Sequence, residues 1–425
     1  MRILHLIPRY WPAHGGAERH LGEISVRLAA EGHSVTVATT DALDFELFWN
    51  PRRRRINLPE AEHRGVWIRY FPVRHLPAAP LAYPAIRRLL WIFSRLPGVP
   101  VGSIEHLARW TPRVPDLWRW LNSTREPFDL VAAMGIIFEP LVAAGLQFAR
   151  RRGIPFVVYP LTHLGAGPRP GMDSVGRFYT MRHQIALAKA ADAVVAQTPT
   201  ERAFYVGHGV AQERISVVGP GVNPEEVLGG DPNRFRKRHG VKEPTVAFLG
   251  HLSYDKGAIH VVEAVRRLWQ AGRSLSLVLA GGMLTPFRRY LNNLPPTDRS
   301  RTLILPSIKE ADKRDMLAAC DLLALPSRTD SFGIVYLEAW LYRKPVIGAR
   351  AWGIGDVIED GRDGLLVPFG DIQALANAIA FLLDHPEQRS RMGIAGEQKV
   401  YQAHTWDRKY PLIRDLYQDL VGERS

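Results

Sequence analysis

The fold class is set by residues 3–40, which read ILHLIPRYWPAHGGAERHLGEISVRLAAEGHSVTVATT. Ile3–Ile7 is a short continuous apolar run, which is typical of a parallel strand buried on both faces. Ser34–Thr40 predicts a second strand of the same kind. The helix between them is indicated by apolar residues at helical spacing, namely Ala17, Leu21, Ile24 and Leu28. This βαβ unit predicts a doubly wound α/β fold.

Further apolar runs of strand length form two series, separated by residues 219–223, GPGVN. The first series contains Phe128–Ala133, Phe156–Tyr159, Ala193–Gln197 and Ile215–Val218. The second contains Val246–Leu249, Leu275–Ala280, Leu303–Leu305, Leu322–Leu325, Pro345–Ile347 and Leu365–Val367. Helical patterns cover Gly257–Gln270, Asp371–Leu383 and Trp406–Leu420. A chain of 425 residues is long enough for two cores. We therefore predict an N-terminal domain over 1–222, a C-terminal domain over 223–404, and a final helix over 405–425.

Residues 45–125 interrupt this pattern with many prolines and arginines and predict an insertion with short helices. Residues 50–125 contain 14 arginines, no lysine and four acidic residues, which is +10 of the chain's net charge of +13. Six of the 11 tryptophans lie in or beside this segment. Such a composition suits an anionic membrane surface or an acidic ligand. A solvated basic face with tryptophans in the core is the alternative. No recognisable nucleic-acid-binding module accompanies the charge, so we expect no nucleic-acid partner.

The cysteine count and the N-terminus bear on the compartment. Cys320 is the single cysteine, which excludes a disulfide framework and a cysteine-based zinc site. The N-terminal apolar run is broken by Pro8 and Arg9, unlike a signal peptide. No uncharged apolar stretch reaches the roughly 20 residues of a spanning helix. These features predict a cytoplasmic protein, and the basic segment is compatible with peripheral binding at the inner face of a membrane.

Two adjacent glycines, Gly15 and Gly16, lie between the first predicted strand and its helix. They let the backbone approach a ligand closely, and the helix behind them offers free N–H groups and a positive dipole end. A phosphate or sugar oxygen would bind there, although a plain tight turn explains the same pair. The spacing is not GxGxxG, which disfavours a dinucleotide cofactor.

The loop that opens the second series, residues 250–257, reads GHLSYDKG. Lys256 stands beside the predicted start of a helix, where it is placed to neutralise a diphosphate leaving group. His251 offers a second donor. The alternative is a solvated lysine on a loop.

Residues 326–339, which read PSRTDSFGIVYLEA, carry the strongest pattern. Asp330 follows a predicted strand, and Glu338 lies eight residues further on in a predicted helix. Carboxylates accept hydrogen bonds from paired sugar hydroxyls, so these two acids are spaced to hold a transferred sugar and a ribose. The diphosphate between the rings would meet the backbone N–H groups of Ser331, Phe332 and Gly333. The alternative is a helix-capping aspartate and a surface glutamate.

Taken together, these segments resemble the large retaining family of the GT-B fold called glycosyltransferase family 4. That family has a Gly-Gly loop near its N-terminus, a Gly-Arg-Leu…Lys-Gly segment opening its C-terminal domain, and a Glu-x7-Glu signature around Phe-Gly. The matching residues here are Gly15-Gly16, Gly250-His251-Leu252 with Lys256-Gly257, and Asp330-x7-Glu338 around Phe332-Gly333. The resemblance spans most of the chain except residues 45–125. It implies two Rossmann-like domains that face a cleft, with the C-terminal helix returning to the N-terminal domain.

Two positions depart from the family pattern. His251 replaces the usual arginine, so a charge that never titrates is exchanged for one that depends on pH. Asp330 replaces the first glutamate of the signature, and its reach is shorter by about 1.5 Å. Either change could alter the choice of donor.

The resemblance also points to His163, at the end of residues 159–163, YPLTH. The matching histidine lies near the reacting centre, where an imidazole donates to a sugar hydroxyl or to developing charge. A structural loop histidine is the alternative, and Asp173 is a weaker candidate nearby. The expected catalytic residues are His163, Lys256, Asp330 and Glu338. The expected donor-binding residues are Gly15, Gly16, His251, Lys256, Ile308, Asp330, Ser331, Phe332, Gly333 and Glu338.

The resemblance implies transfer of a hexose from a nucleotide-diphosphate sugar, with retention of configuration, to a glycan or lipid acceptor. No Asp-x-Asp metal clamp is evident in a suitable loop, so we expect a metal-independent enzyme with no cofactor beyond its substrate. Two other functions fit the same scaffold. A nucleotide-sugar epimerase or hydrolase would leave residues 45–125 unexplained, because it needs no acceptor. A non-catalytic binding protein would not require Lys256 and Glu338.

Overall fold

The computed structural model describes residues 1–167, 173–242 and 244–423, and the chain divides into two compact units. Unit 1 consists of Met1–Thr162, Val175–Gly219 and Tyr410–Ser425. Unit 2 consists of His163–Ser174 and Pro220–Lys409. None of the helices in the described residues is long and apolar enough to cross a bilayer.

Unit 1 is built on one sheet, whose strands are β1 (Arg2–Ile7), β2 (Ser34–Thr40), β3 (Glu60–His63), β4 (Val66–Phe71), β5 (Leu130–Met134), β6 (Phe156–Tyr159), β7 (Ala193–Ala196) and β8 (Ile215–Val217). Their order across the sheet is β3-β4-β2-β1-β5-β6-β7-β8. Neighbours run parallel, except that β3 is antiparallel to β4. The apolar run Ile3–Ile7 is buried at the centre of the sheet. The helices of unit 1 are α1 (Gly16–Ala30), α2 (Ala79–Arg95), α3 (Val101–Ala108), α4 (Pro115–Ser123), α5 (Glu139–Arg152), α6 (Arg182–Ala190) and α7 (Pro199–Gly207).

The prediction for residues 45–125 is partly wrong, because this segment contributes two strands to the sheet and α2 has 17 residues. In β4, Val66 and Ile68 are buried, whereas Trp67 between them is exposed. That alternation is typical of a strand, but the many charges and prolines around it obscure the period. The charged strand β3 lies at the edge of the sheet, where charged side chains discourage pairing with another chain.

Unit 2 has a second, wholly parallel sheet with β9 (Thr245–Leu249), β10 (Ser276–Ala280), β11 (Thr302–Leu305), β12 (Leu322–Leu325), β13 (Val346–Ala349) and β14 (Gly364–Val367). Its order, β11-β10-β9-β12-β13-β14, is that of a Rossmann fold. The helices are α8 (Pro224–Val227), α9 (Pro232–His239), α10 (Ala258–Gln270), α11 (Thr285–Asn292), α12 (Pro296–Ser300), α13 (Glu310–Ala319), α14 (Ile334–Leu341), α15 (Ile354–Val357), α16 (Ile372–Asp384) and α17 (Pro386–Ala403). The α/β class expected from residues 3–40 is therefore confirmed in both units.

The last helix, α18 (Trp406–Gly422), packs in unit 1 through a buried tyrosine. The Tyr417 hydroxyl lies 3.0 Å from the Tyr159 hydroxyl and 3.3 Å from His5 Nε2. All three side chains are fully buried, so each polar atom needs a partner inside the protein. This network ties α18 to β1 and to the end of β6.

A buried ion pair connects α2 to α5. Arg87 Nη1 donates to Glu139 Oε2 at 2.6 Å, and both side chains are almost completely buried. Gln184 donates to the other carboxylate oxygen at 2.7 Å, and His183 lies 3.2 Å from it. Burial alone would raise the pKa of Glu139, but the charge of Arg87 and the neighbouring donors lower it overall. The carboxylate is therefore held in its charged form within the core.

Removing the guanidinium should destabilise unit 1. Arg87→Ala leaves the Glu139 carboxylate buried without its partner, and such losses cost about 3–5 kcal/mol. Urea unfolding followed by circular dichroism measures the change. The matched control is Arg88→Ala, on the same helix with an exposed side chain, which should change the free energy of unfolding by less than about 0.5 kcal/mol. Similar effects from the two variants would show that the buried pair does not stabilise the fold.

Candidate active site

The sheet of unit 2 reverses its order between β9 and β12, which are adjacent although β10 and β11 separate them in sequence. Residues 250–257 follow the carboxyl end of β9, and residues 326–333 follow that of β12. Ligands of open α/β sheets bind outside the carboxyl ends of strands at such a switch point. Both motifs singled out in the C-terminal half therefore lie where this fold binds ligands.

The two loops are in direct contact. Arg328 donates its backbone N–H to Asp255 O at 2.9 Å. Gly257 has φ +81°, and a Cβ atom there would lie 2.5 Å from Pro326 O. Because a side chain would meet a backbone carbonyl, only glycine permits this approach. The glycine after Lys256 is therefore explained by loop packing as well as by backbone conformation.

Lys256 and Asp330 form an ion pair across these loops. Lys256 Nζ lies 2.6 Å from Asp330 Oδ1, and it also reaches Thr329 O at 3.4 Å. The side chains retain 22% and 19% of their exposure, so both groups are partly shielded from water and still accessible to a ligand. The structure thus brings together the two strongest candidates from separate motifs. It excludes the alternative of a lysine solvated on its loop.

The environment of Asp330 keeps it charged. Burial alone would raise the pKa of this carboxyl group. The charge and hydrogen bond of Lys256 act in the opposite direction, assisted by a hydrogen bond with Ser327 and the charge of His163, and the pKa is lowered overall. His163 belongs to unit 2, as Asp330 does.

Helix α14 begins at Ile334, with Gly333 as its N-cap at φ +85°. No side-chain hydrogen bond caps this terminus, so the alternative of Asp330 as a helix cap is wrong. A Cβ atom at Gly333 would collide with the Tyr336 ring, which explains the glycine. Ser331 is half-buried and Phe332 is buried, and the Phe332 ring lies 5.5 Å from that of His404. The N–H groups at the start of α14 are thus presented without competition from a capping side chain.

Glu338 is buried within α14, so the alternative of a surface glutamate is also wrong. Its Oε1 atom lies 3.1 Å from Lys313 Nζ, and Lys313 also pairs with Glu310 at 2.7 Å. The sequence motif did not identify Lys313, because it comes from α13 and meets Glu338 only in the folded chain. The buried Glu338 carboxylate thus has a cationic partner inside the protein, as buried charges usually do.

The other residues expected around the donor lie in different surroundings. His251 is exposed, and a Cβ atom at Gly282 would lie 3.2 Å from its ring. Ile308, between β11 and α13, packs against the core of unit 2. Gly15 and Gly16 belong to unit 1, at the start of α1. A Cβ atom at Gly15 would collide with the Glu18 carboxylate, which pairs with Arg9 at 2.6 Å.

Arg328 is a residue that the sequence motifs did not single out. Its guanidinium lies 3.1 Å from both carboxylate oxygens of Asp173 and 2.7 Å from Asp255 Oδ1. It also stacks 5.0 Å from the Phe369 ring centroid. Asp173 belongs to the same short segment of unit 2 as His163, so Arg328 fastens that segment to the loop carrying Asp330. The only signal for Arg328 in the sequence is its position within residues 326–339, because its contacts with Asp173 and Asp255 form only in the folded chain.

The buried carboxyl group of Glu201 contacts Thr162, the residue before His163. The backbone N–H groups of Thr162 and Gln197 donate to Glu201, at 2.6 and 2.7 Å. Burial raises the pKa of Glu201 to about 7, although these hydrogen bonds oppose the shift.

Within the described ranges, no group of three or more His, Cys, Asp or Glu side chains has the arrangement of a metal site.

Two family models match the chain. The model of the glycosyl transferase 4-like domain matches residues 15–221, and that of glycosyl transferases group 1 matches residues 231–399. The D-inositol 3-phosphate glycosyltransferase of Kineococcus radiotolerans is 26% identical over 97% of this chain and 92% of its own length. That of Corynebacterium glutamicum is 32% identical over 56% of this chain. The α-D-kanosaminyltransferase of Streptomyces kanamyceticus is 34% identical over 37% of this chain. The aligned regions span 60% and 41% of these last two proteins, less than two thirds of each.

Solved structures show the same fold over the whole chain. Anabaena Alr3699/HepE in complex with UDP and glucose has a TM-score of 0.72 at 21% identity, covering 99% of this chain and 100% of that structure. Sucrose-phosphate synthase from Thermosynechococcus elongatus has a TM-score of 0.70 at 18% identity, with complete coverage of both chains. At these identities the structures establish the GT-B fold alone. With the two family models, they show that the chain belongs to glycosyltransferase family 4, a family of enzymes that transfer glycosyl groups.

Proposed function

We propose that this protein transfers a hexose from a nucleotide-diphosphate sugar to an acceptor with retention of the anomeric configuration. The observation that carries the proposal is the Lys256–Asp330 pair beside the uncapped start of α14, at the switch point of unit 2. One cation, one sugar-binding carboxylate and a row of backbone donors are the groups that a nucleotide sugar requires. A structure similar to this chain is described in complex with UDP-glucose, so a UDP-hexose is the first donor to test.

Each group has a distinct role in this proposal. Lys256 has three N–H donors and directs two of them to Asp330 and Thr329 O, so one remains for the diphosphate oxygens. The N–H groups at the start of α14 bind the same oxygens. Asp330 holds a hydroxyl of the transferred sugar, Glu338 holds the ribose, and His163 donates to the sugar near the reacting carbon. His251 adds a donor at the edge of the site.

The reaction follows a front-face course. The bond between the anomeric carbon and the diphosphate oxygen breaks while the acceptor oxygen attacks from the same face. The acceptor's proton passes to the departing diphosphate, whose growing negative charge Lys256 stabilises. Fixed charges and backbone donors then supply the stabilisation that a divalent cation gives elsewhere, and we propose that the enzyme needs no metal.

We also propose that the acceptor is lipid-linked or part of a cell-envelope glycan, bound by unit 1 at an anionic membrane surface. Helix α2 exposes an apolar stripe, with Leu81 at 76% exposure, followed by Leu89 and Ile92. Arg88 and Arg95 are exposed along the same helix. Apolar side chains would enter the headgroup boundary while the guanidinium groups meet lipid phosphates.

Loss of the Lys256 charge should impair the chemical step. Lys256→Ala should lower kcat/KM for a UDP-hexose by about 100-fold or more, because this contact strengthens as the diphosphate leaves. Lys237→Ala removes a lysine from the exposed face of α9 and serves as the control, with activity near that of wild type. The assay is repeated with EDTA, which should leave turnover intact. Unchanged kcat/KM in Lys256→Ala, or a loss with EDTA that magnesium restores, would contradict the proposed site.

Arg328 should act through His163. Arg328→Ala removes the ion pair that holds Asp173 and, with it, the segment that carries His163. Because a small displacement of a reacting group impairs catalysis, kcat should fall by about 10- to 100-fold. In a His163→Ala background the same substitution should have little further effect, because residues that act as a unit are not additive. Steady-state kinetics of the single and double variants measures this. Arg350→Ala, which breaks an exposed ion pair with Asp360 in the same unit, is the control. Additive effects of Arg328→Ala and His163→Ala would refute the coupling.

Membrane binding should depend on the stripe of α2. The protein should sediment with anionic liposomes at low salt and less at high salt, since each basic residue near the surface adds about 1 kcal/mol. Replacing both Leu81 and Ile92 with serine should reduce sedimentation. Leu412→Ser, at a leucine of α18 that is 50% exposed, is the control. Absence of liposome binding at low salt would rule out the membrane surface and favour a soluble acceptor.

A further inference from the structure

Glu201, on α7, is a buried acid that the proposed mechanism does not use. Its two carboxylate oxygens accept from different segments of the chain. Oε1 accepts the backbone N–H of Thr162 at 2.6 Å, and Oε2 accepts that of Gln197 at 2.7 Å. Thr162 follows β6 and Gln197 follows β7, and these strands are neighbours in the sheet. The carboxylate therefore connects the segments at the carboxyl ends of two strands, the edge at which open α/β sheets bind ligands.

Helix capping does not account for this arrangement. Thr198 is the N-cap of α7, and its hydroxyl accepts the backbone N–H of Glu201 at 3.2 Å. In a capping box, the glutamate at this position bonds to the N–H group of the N-cap residue itself. The Glu201 carboxylate instead contacts Gln197, one residue earlier, and Thr162, 39 residues away along the chain. The contact with Thr162 therefore serves the segment after β6 rather than the helix.

The segment after β6 has a strained backbone immediately before His163. Leu161 has φ +54°, in the left-handed region that a leucine rarely adopts. Such a conformation persists only where the surrounding structure imposes it, and it is common at active sites. The next residue, Thr162, is held twice by α7: its N–H group donates to Glu201, and its hydroxyl lies 2.8 Å from that of Tyr205. Two side chains of one helix therefore fix the residue that precedes His163.

We infer that Glu201 is a positioning residue: its carboxylate fixes the backbone turn at Leu161 and Thr162, and thereby sets where the His163 imidazole lies during glycosyl transfer. This inference rests on the proposed function, in which His163 donates to the sugar near the reacting carbon. Glu201 acts through the backbone and does not touch the substrate. Its loss should therefore lower kcat and leave binding of the nucleotide almost unchanged.

The contact with Thr162 depends on the ionisation of Glu201. Burial raises the pKa of this carboxyl group to about 7, so it changes charge near neutral pH. The ionised form accepts both backbone N–H groups, whereas the protonated form presents a donor at one of its two oxygens. The turn is therefore held best when Glu201 is ionised, and activity should fall as the pH decreases through about 7.

The titratable groups around Glu201 come from several elements. Tyr205 lies on the same helix, Tyr179 lies before α6, and His20 lies on α1, where its Nδ1 atom is 3.2 Å from Gln197 Nε2. Burial raises the pKa of both tyrosines, so both are neutral at the pH where Glu201 titrates. His163 itself follows Thr162 in the chain, and its titration is separated from that of Glu201 by comparing variants.

The test is UDP release from UDP-glucose by the full chain, with water in place of the acceptor. Glu201→Gln keeps the size of the side chain but replaces one acceptor oxygen with a donor. At pH 8 its kcat should be about 10- to 100-fold below that of wild type, because a small displacement of a reacting group impairs catalysis. The Kd of UDP should stay within about twofold of wild type, which also shows that the variant is folded.

Asp192→Asn is the matched control. The Asp192 carboxylate accepts the backbone N–H of Phe156 at 2.8 Å, which is the same kind of contact at the opposite end of β6. This variant should keep kcat near that of wild type. Tyr205→Phe removes only the hydroxyl that contacts Thr162, and it should lower kcat less than Glu201→Gln does.

The pH dependence distinguishes a positioning role from a purely structural one. Between pH 8 and pH 6, kcat of wild type should fall by about 10-fold, which is the change in the ionised fraction of a group with a pKa of about 7. Glu201→Gln should lack this dependence. Stability should change in the opposite direction. Because folding raises the pKa, the contribution of Glu201 to stability is full below its ordinary pKa and is lost as the pH rises through about 7.

In a His163→Ala background, Glu201→Gln should have little further effect on kcat, because residues that act as a unit are not additive. Unchanged kcat in Glu201→Gln at pH 8, or additive losses in the double variant, would overturn the positioning role alone. Failure of the wild-type protein to release UDP from UDP-glucose, or a kcat of His163→Ala equal to that of wild type, would instead contradict the proposed function.

Discussion

The reversal of strand order at β9 is the constraint on which the candidate site depends. Parallel strands require their connections to leave at the carboxyl ends, and the reversal directs the connections after β9 and β12 away from each other along the sheet. The loops at the starts of those connections are therefore left side by side. Lys256 and Asp330 meet there, although 73 residues separate them in the chain. A site of this kind needs no further element to bring its two charges together.

The Lys256–Asp330 pair is suited to binding rather than to stabilising the fold. Partly exposed ion pairs contribute little to stability because water screens them and their side chains lose entropy. Both groups keep about a fifth of their exposure, so each can exchange part of its contact for a ligand at small cost. The Arg87–Glu139 pair in unit 1 is different. It is almost completely buried, hydrogen-bonded to further donors, and expensive to break. The two ion pairs share the same chemistry and differ in their burial.

The arginines of residues 50–125 make several kinds of contact rather than one. Some guanidinium groups are paired with acids, as Arg55 is with Asp41, and others stack on tryptophans, as Arg109 does on Trp118. The alternative of a simple solvated basic face is therefore incomplete, and two of the tryptophans, Trp67 and Trp110, remain substantially exposed. Other guanidinium groups are exposed, including Arg88 and Arg95 along α2. Net charge counted from sequence overstates the charge available to a partner, because internal pairing removes part of it.

The sequence by itself determined the α/β class, most strand positions and the identity of the main candidate residues. Runs such as Ile3–Ile7 identify a strand clearly, because a strand that is buried on both faces is apolar at almost every position. Strand β4 was missed, since exposed Trp67 and half-buried Arg69 interrupt its buried residues and arginines and prolines surround it. Local pattern also could not decide whether Glu338 was a surface residue, because its burial and its contact with Lys313 depend on the packing of α13 against α14. The contacts of Arg328 were decided only by tertiary structure: a charge acquires its function from the groups it meets, and Asp173 lies 155 residues away along the chain.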